Sequence, residues 1–484
     1  MLGQIRGYHD SRVNKDSSPL LPQPMKSREP SLESPGASLP GSRGPSLESR
    51  AAFPPGSRGP SLADAPCHWA QELGISREAV DLYLSCEVID LHVDTFIWTR
   101  IFGYDLRRRH GCGFLGGRYY GQADLPRLRE AAVRGAVHVI TTNPFRTAKG
   151  RGRALVANLE RLTSLLSSSE VLLARTAEDY HRAQAAGKHA AFIGIQGANA
   201  LATDEAREKA SRIIVLATLV HLTPSRLAKP SVPYPFLRRT GLSREGKDMV
   251  AWLDAQRIFV DLAHIDRPGF FDAVRVHDRS LPLIVSHTGC AAVHPVWRNV
   301  DDEQLRAVAA TGGVIGVMYA QSFLGNRPST RQKTLLHRAG HADQPVDAEP
   351  VREGTSLASA QPDDASLLDD TPPSDNALPS DDIPLTDDHA FPLDDGLARR
   401  MSPSFQGAER IVDHLEHIVK TVGEDFAALG SDFDGAIVTP SDVRTCLELP
   451  RIVQAMLDRN FSETSIRKIL GQNFLRALRY LRGT

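Results

Sequence analysis

Val88-Ile89-Asp90-Leu91-His92-Val93-Asp94 reads as a short apolar strand that ends in an imidazole and a carboxylate. Side chains two positions apart on a strand share a face, so His92 and Asp94 point the same way. The pattern returns along the chain. Seven more apolar runs stand out, at Ala136 to Thr141, Ala191 to Gln196, Ile213 to Val220, Ile258 to His264, Pro282 to His287, Gly313 to Tyr319 and Phe426 to Asp432. Most are continuous in Val and Ile, as strands buried on both faces are. Amphipathic stretches separate most of them. Met249, Val250 and Leu253 share one helical face, and Ile411, Val412, Leu415, Ile418 and Val419 share another. Eight strands with intervening helices predict an α/β chain folded as a closed (β/α)8 TIM barrel. A doubly wound open sheet is the alternative, weakened because no glycine-rich phosphate loop follows the first strand.

The strand ends carry the chemistry. The fifth run ends Val260-Asp261-Leu262-Ala263-His264 and the sixth Ile284-Val285-Ser286-His287. The fourth reaches His221, the seventh Tyr319, and the eighth Asp432 within Gly430-Ser431-Asp432-Phe433-Asp434-Gly435. Any one of these is more often a hydrogen-bonded structural residue than a ligand. In a parallel barrel, however, all strands end on one face, so the groups converge. Convergent imidazoles and carboxylates predict a catalytic Zn²⁺-like centre with an open position for water.

Composition narrows the function classes. The 484 residues hold 57 Lys plus Arg against 58 Asp plus Glu, a net charge of -1, which argues against a nucleic-acid or anionic-membrane binder. Cys67, Cys86, Cys112, Cys290 and Cys446 are sparse and odd in number, which fits a reducing compartment. There is no apolar signal region, no run of about 18 apolar residues and no hydrophobic C-terminal tail, so a soluble cytoplasmic protein is expected. Two stretches fall outside the barrel pattern. Residues 1–66 are rich in Pro, Gly and Ser and repeat Pro40-Gly41-Ser42-Arg43-Gly44-Pro45-Ser46-Leu47 at Pro55 to Leu62. Residues 326–402 include eleven Asp and no Lys or Arg between Gln361 and Gly396. Both are expected to be disordered, as a tail and as an acidic insertion in a barrel domain spanning 67–484. Loop expansion is the favoured reading of the insertion, with a partner-binding tether as the alternative.

The motifs, in their order, resemble the renal or membrane dipeptidase family. They are Asp90-Leu91-His92-Val93-Asp94, Asp124-Leu125-Pro126-Arg127-Leu128, Gly194-Ile195-Gln196-Gly197, Val260 to His264, Ser286-His287-Thr288, Arg298-Asn299, Gly430 to Gly435 and Gly471-Gln472-Asn473-Phe474. The resemblance covers roughly residues 80–325 and 405–480. It implies a dinuclear zinc hydrolase on a metal-dependent hydrolase barrel, a dipeptide-like substrate and a homodimer. His92 and Asp94 would hold one Zn²⁺, and His264 and His287 the other. His221 would contact the scissile carbonyl and the oxyanion formed from it. Arg298 would bind the free carboxylate, for which a forked guanidinium suits a planar anion. Asp432 would carry a proton from the nucleophilic water to the leaving amine, and Tyr319 would line the substrate pocket. Asp90 would support the ligands from behind, and Asp434 would be structural.

One departure matters. Where the family has a glutamate bridging the metals, this chain has Gln196. A neutral amide with one oxygen leaves about one positive charge uncompensated among groups that interact by several kcal/mol, even at an effective dielectric of about 20. The metal pair is therefore expected to be weakened: one metal, a second held only with substrate, or an inactive site. Three readings stay open. They are an active hydrolase of dipeptides or similar small amides, a non-catalytic relative that binds a small peptide or amino-acid derivative, and a relative specialised for another substrate.

Overall fold

The computed structural model describes residues 65–111, 116–142, 146–233, 240–325 and 407–483. The expected tail at 1–66, save its last two positions, and the expected insertion at 326–402 lie outside the described residues. Each of the eight apolar runs coincides with a strand, though β2, β4 and β7 extend one or two residues past theirs: β1 (Ile89–Val93), β2 (Gly135–Thr141), β4 (His189–Gln196), β5 (Leu216–Thr218), β6 (Phe259–Asp261), β7 (Ile284–Thr288), β8 (Val314–Val317) and β9 (Ala427–Leu429). Every pairing among them is parallel. The β2–β4 pairing closes the ring, giving a (β/α)8 barrel.

The strand numbered β3 (Val171–Leu173) was not foreseen. Leu173 pairs with Ala191, whereas Leu216 of β5 pairs with Gly194 on the same strand, so β3 takes the lower part of the β4 edge that β5 uses above. Three residues of Val and Leu carry too little pattern to separate a strand from the end of a helix.

Two cores result. One apolar cluster draws on all eight barrel strands, with Ile89, Leu91, Val137, Val139, Phe192, Leu216, Phe259, Ile284, Val314 and Ala428, and fills the barrel. Phe474, from the helix Asn473–Arg482, meets Phe192 and Phe259 at centroid distances of 5.3 and 6.0 Å. It plugs the end where the strands begin, so the opposite mouth is left for the polar strand ends. The larger cluster lies between strands and helices and includes Ile315, Val317, Met249, Val250, Leu253, Ile411, Val412, Leu415 and Ile418. The two amphipathic stretches form helices, Arg244–Ala255 and Gly407–Val422, the first capped by Ser243 Oγ accepting from the Gly246 amide. Among the described residues no helix is long and apolar enough to cross a membrane.

Candidate metal centre

The strands do not alternate strictly where they deliver the histidines. From the Asp90–Ala136 pair to the Val93–His138 pair β1 advances one residue more than β2, and between Val285 and Thr288 β7 gains one residue on β8. Ile89 and Leu91, like Ile284, belong to the barrel interior. Unbroken alternation would send His92 and His287 to the outer layer. The bulges turn them back into the mouth, a common use of a bulge beside a functional site. The two rings lie against each other with centroids 3.8 Å apart and planes tilted by 38°. Glycines allow the close approach of strands here: a Cβ on Gly316 or Gly430 would sit 2.1 or 1.9 Å from the Ser286 carbonyl oxygen.

His92 Nε2 lies 3.6 Å from Asp94 Oδ2 and 3.8 Å from Asp432 Oδ1. His92, His287 and Asp432, all buried, each offer one ligand atom within 4.8 Å of the others. On the other side His264 and His287 bring their Nε2 atoms to 2.8 Å, and the Gln196 side-chain nitrogen stands 3.1 and 3.4 Å from them. His221 is half-buried and packs edge-on to His264 at 4.7 Å. His264 and Asp432 both hold positive φ, 66° and 61°, a costly backbone for such residues. Thr141, on β2, joins the two sides: its hydroxyl is 2.7 Å from Asp94 Oδ1 and 2.9 Å from Gln196 Oε1.

The charges of the two sides differ. His92 is raised in proton affinity because Asp94 and Asp432 outweigh the burial that opposes it. Burial holds His264 and His287 well below the usual imidazole range, reinforced by Arg298 and by neighbouring histidines. Burial likewise lowers His221 to about 4. Asp432 is pushed up to about 7, first by burial and also by Asp94, against the pull of His92 and Arg298. Arg298, 3% exposed, is lowered to about 10 by burial, with Asp432 and Asp261 supporting its charge. Its Nη2 donates to the His287 carbonyl oxygen at 2.7 Å, which fixes the guanidinium beside the ligands.

A cation suits this donor set. His92 Nε2, which faces the mouth, is buried with no hydrogen-bond partner among the described residues. Two imidazole nitrogens 2.8 Å apart repel unless a proton or a metal ion stands between them. Neutral imidazoles with carboxylates are the ligands that a zinc-type ion takes.

The model of the membrane dipeptidase family, Peptidase family M19, matches residues 76–482. The chain belongs to this family. Its similarity to individual members is distant. An uncharacterized protein in the pqqA 5' region of Klebsiella pneumoniae is 26% identical over 239 residues, 49% of this chain and 60% of its own length. Dipeptidase tcpJ of Claviceps purpurea is 25% identical over 324 residues, 66% of this chain and 57% of its own length. The chain thus spans under two thirds of the length of these curated relatives. A metallo peptidase from Rhodobacter sphaeroides, solved with a phosphinate mimic of the dipeptide L-Ala-D-Ala, shares the fold with a TM-score of 0.58 and 22% identity, covering 82% of this chain and 99% of its own.

Within this M19 barrel the structure gathers His92, Asp94, Gln196, His264, His287, Asp432, Arg298 and His221 at one mouth. Tyr319 is placed elsewhere. It follows Ile315 and Val317 into the layer between strands and helices, fully buried and edge-on to Phe433 at 5.5 Å. Strand alternation sets that direction. Asp90 Oδ1 accepts from the backbone amides of His92 and Ser431, binding the two ligand-bearing segments together. Asp434 accepts from the Thr95 hydroxyl and the Gln122 amide, a loop-holding role. Thr141, Asp261 and Ser286 also reach these side chains, which the sequence pattern does not show. Asp261 and Ser286 stand beside candidate ligands in the strand-end motifs, whereas Thr141 ends a run that carries none.

Proposed function

We propose that the chain is a metal-dependent hydrolase of dipeptides or similarly small amides, with one strong and one weak metal position. The observation that carries the reading is the buried cluster of His92, His287 and Asp432, with ligand atoms within 4.8 Å of one another, beside His264 and Gln196. Family membership and the dipeptide mimic bound by the Rhodobacter relative support it.

His92, Asp94 and Asp432 would hold the stronger metal, and His264, His287 and the Gln196 amide the weaker. When bound, such ions supply an acidified water and polarise the carbonyl to be attacked. The remaining work falls to the chain. Asp432, a carboxylate at the mouth beside His92, would take a proton from water and pass it to the departing amine. His221 stands beside His264 where an imidazole N–H can donate to the substrate carbonyl oxygen as charge develops on it. Arg298, buried and fixed through the His287 carbonyl, would take the free α-carboxylate and so favour short substrates.

The test is a panel of L,L- and L,D-dipeptides, assayed with and without added zinc on protein whose bound metal is measured in the same sample. Zinc-dependent turnover is expected. Full metal occupancy without turnover would contradict the hydrolase reading and favour a binding protein.

A further inference from the structure

The Ser286 hydroxyl reaches the Nδ1 edge of both His92 and His287, and its one proton is already committed. Its Oγ lies 2.6 Å from Asp261 Oδ2, 2.8 Å from His287 Nδ1 and 3.5 Å from His92 Nδ1. Asp261 is fully buried and accepts from four donors. The backbone amides of Ala263 and Ser286 reach Oδ1 at 3.0 Å each, and the hydroxyls of Thr218 and Ser286 reach Oδ2 at 2.7 and 2.6 Å. A carboxylate so surrounded offers lone pairs and no proton, so the Ser286 hydroxyl donates to it. The Ser286 oxygen then has only lone pairs for the imidazoles. His287 must present Nδ1–H to it, and His92, at the longer distance, is biased the same way. Both Nε2 atoms are left bare, and both face the mouth: His92 Nε2 between Asp94 and Asp432, His287 Nε2 beside His264 and Gln196.

We propose that Ser286, oriented by Asp261, is a positioning residue that selects the Nδ1–H tautomer of His287, and more weakly of His92, so that one hydroxyl prepares a ligand atom for each side of the metal centre. The inference rests on the metal-centre reading. A histidine ligand is commonly oriented by a partner on its other nitrogen; here one serine serves two rings on neighbouring sides of the centre.

The geometry at Asp261 offers a direct reversal. Its two oxygens divide their work, Oδ1 toward backbone amides and Oδ2 toward hydroxyls. In Asp261→Asn the amide oxygen can keep the backbone donors while the amide N–H₂ replaces Oδ2 and donates to Ser286. The serine proton then turns to His287 Nδ1 and drives the ring to the Nε2–H tautomer.

The experiment uses the full chain stripped of metal, with ¹⁵N-labelled histidine, and reads the ring-nitrogen shifts of His287, assigned with His287→Gln. Equilibrium dialysis of the same samples against zinc follows. Native protein should show protonated Nδ1 and bare Nε2. Asp261→Asn should invert that pattern and weaken zinc binding by about 10- to 100-fold. Ser286→Ala should lose the preference, giving mixed tautomers and a smaller loss of zinc. Thr218→Val, which removes another donor to Asp261 but leaves the serine in place, should keep the native pattern. An unchanged His287 tautomer in folded Asp261→Asn or in folded Ser286→Ala would overturn the inference. If either variant does not fold, the other decides it. A native chain that binds no zinc would defeat the metal-centre reading instead, because the tautomers are read without metal.

Discussion

The two sides of the barrel mouth are built from the same kind of strand end, yet they carry different charge. On one side His92 stands between Asp94 and Asp432, and the acids raise its proton affinity despite burial. On the other, His264 and His287 meet the neutral Gln196 amide, Asp432 comes within 4.8 Å of His287, and burial lowers both rings. Side chains delivered by the same kind of strand end thus do not make equal sites. The nearest formal charge decides how firmly a second cation is held, and here Gln196 removes one.

Breaking the stronger side should have the largest effect. Asp94→Ala is expected to weaken zinc binding on the order of 100-fold or more, whereas His264→Ala should remove only the weak second equivalent. Equal losses in the two variants, measured by equilibrium dialysis, would end the distinction. Equalising the sides comes next. Gln196→Glu should tighten the second equivalent by about ten-fold or more, since an added anion acts on both cations at short range. Unchanged stoichiometry would refute the charge argument.

Thr141 touches both sides but has one proton, which the nearer Asp94 Oδ1 takes, so Thr141→Val should loosen the Asp94 side. It leaves Asp94 Oδ1 without that donor, and a buried acceptor stripped of its partner costs about 1–3 kcal/mol, readable as a lower urea midpoint of the metal-free protein. An effect confined to acid pH comes from a pair of histidines set outside the mouth. His138 and His189, on β2 and β4, bring their Nε2 atoms to 3.3 Å, and His189 Nδ1 donates to the Val133 carbonyl oxygen. Burial lowers them to about 3 and about 4. They stay neutral when folded but take up protons when unfolded, so their contribution is intact above about pH 6.5 and is lost as pH falls toward 4, by up to about 1.4 kcal/mol per pH unit per ring. The double variant His138→Gln/His189→Gln should lose less stability between pH 7 and pH 5 than the native chain. The carboxylates common to both proteins cancel in that comparison, and equal losses would show that the pair is not the cause.

Most of the barrel could be read from apolar runs of five to eight residues, because buried parallel strands are continuous in Val and Ile. The candidate ligands could be read because each ends such a run. What stayed hidden needed geometry. Val171–Leu173 is too short to declare itself. The bulges in β1 and β7 leave no mark in composition, although they are what turn His92 and His287 inward. Tyr319 ends its run as the ligands do, but its strand has no such extra residue above Val317, and it stays in the outer layer. Thr141, Asp261 and Ser286 are ordinary strand residues until their side chains are seen on the ligands.

Zinc titration of the metal-free native chain, with bound equivalents counted directly, tests the unequal mouth most plainly. One tightly held equivalent, followed by a second at least about ten-fold weaker, is the expected result. Two equivalents of equal affinity, or none, would contradict it.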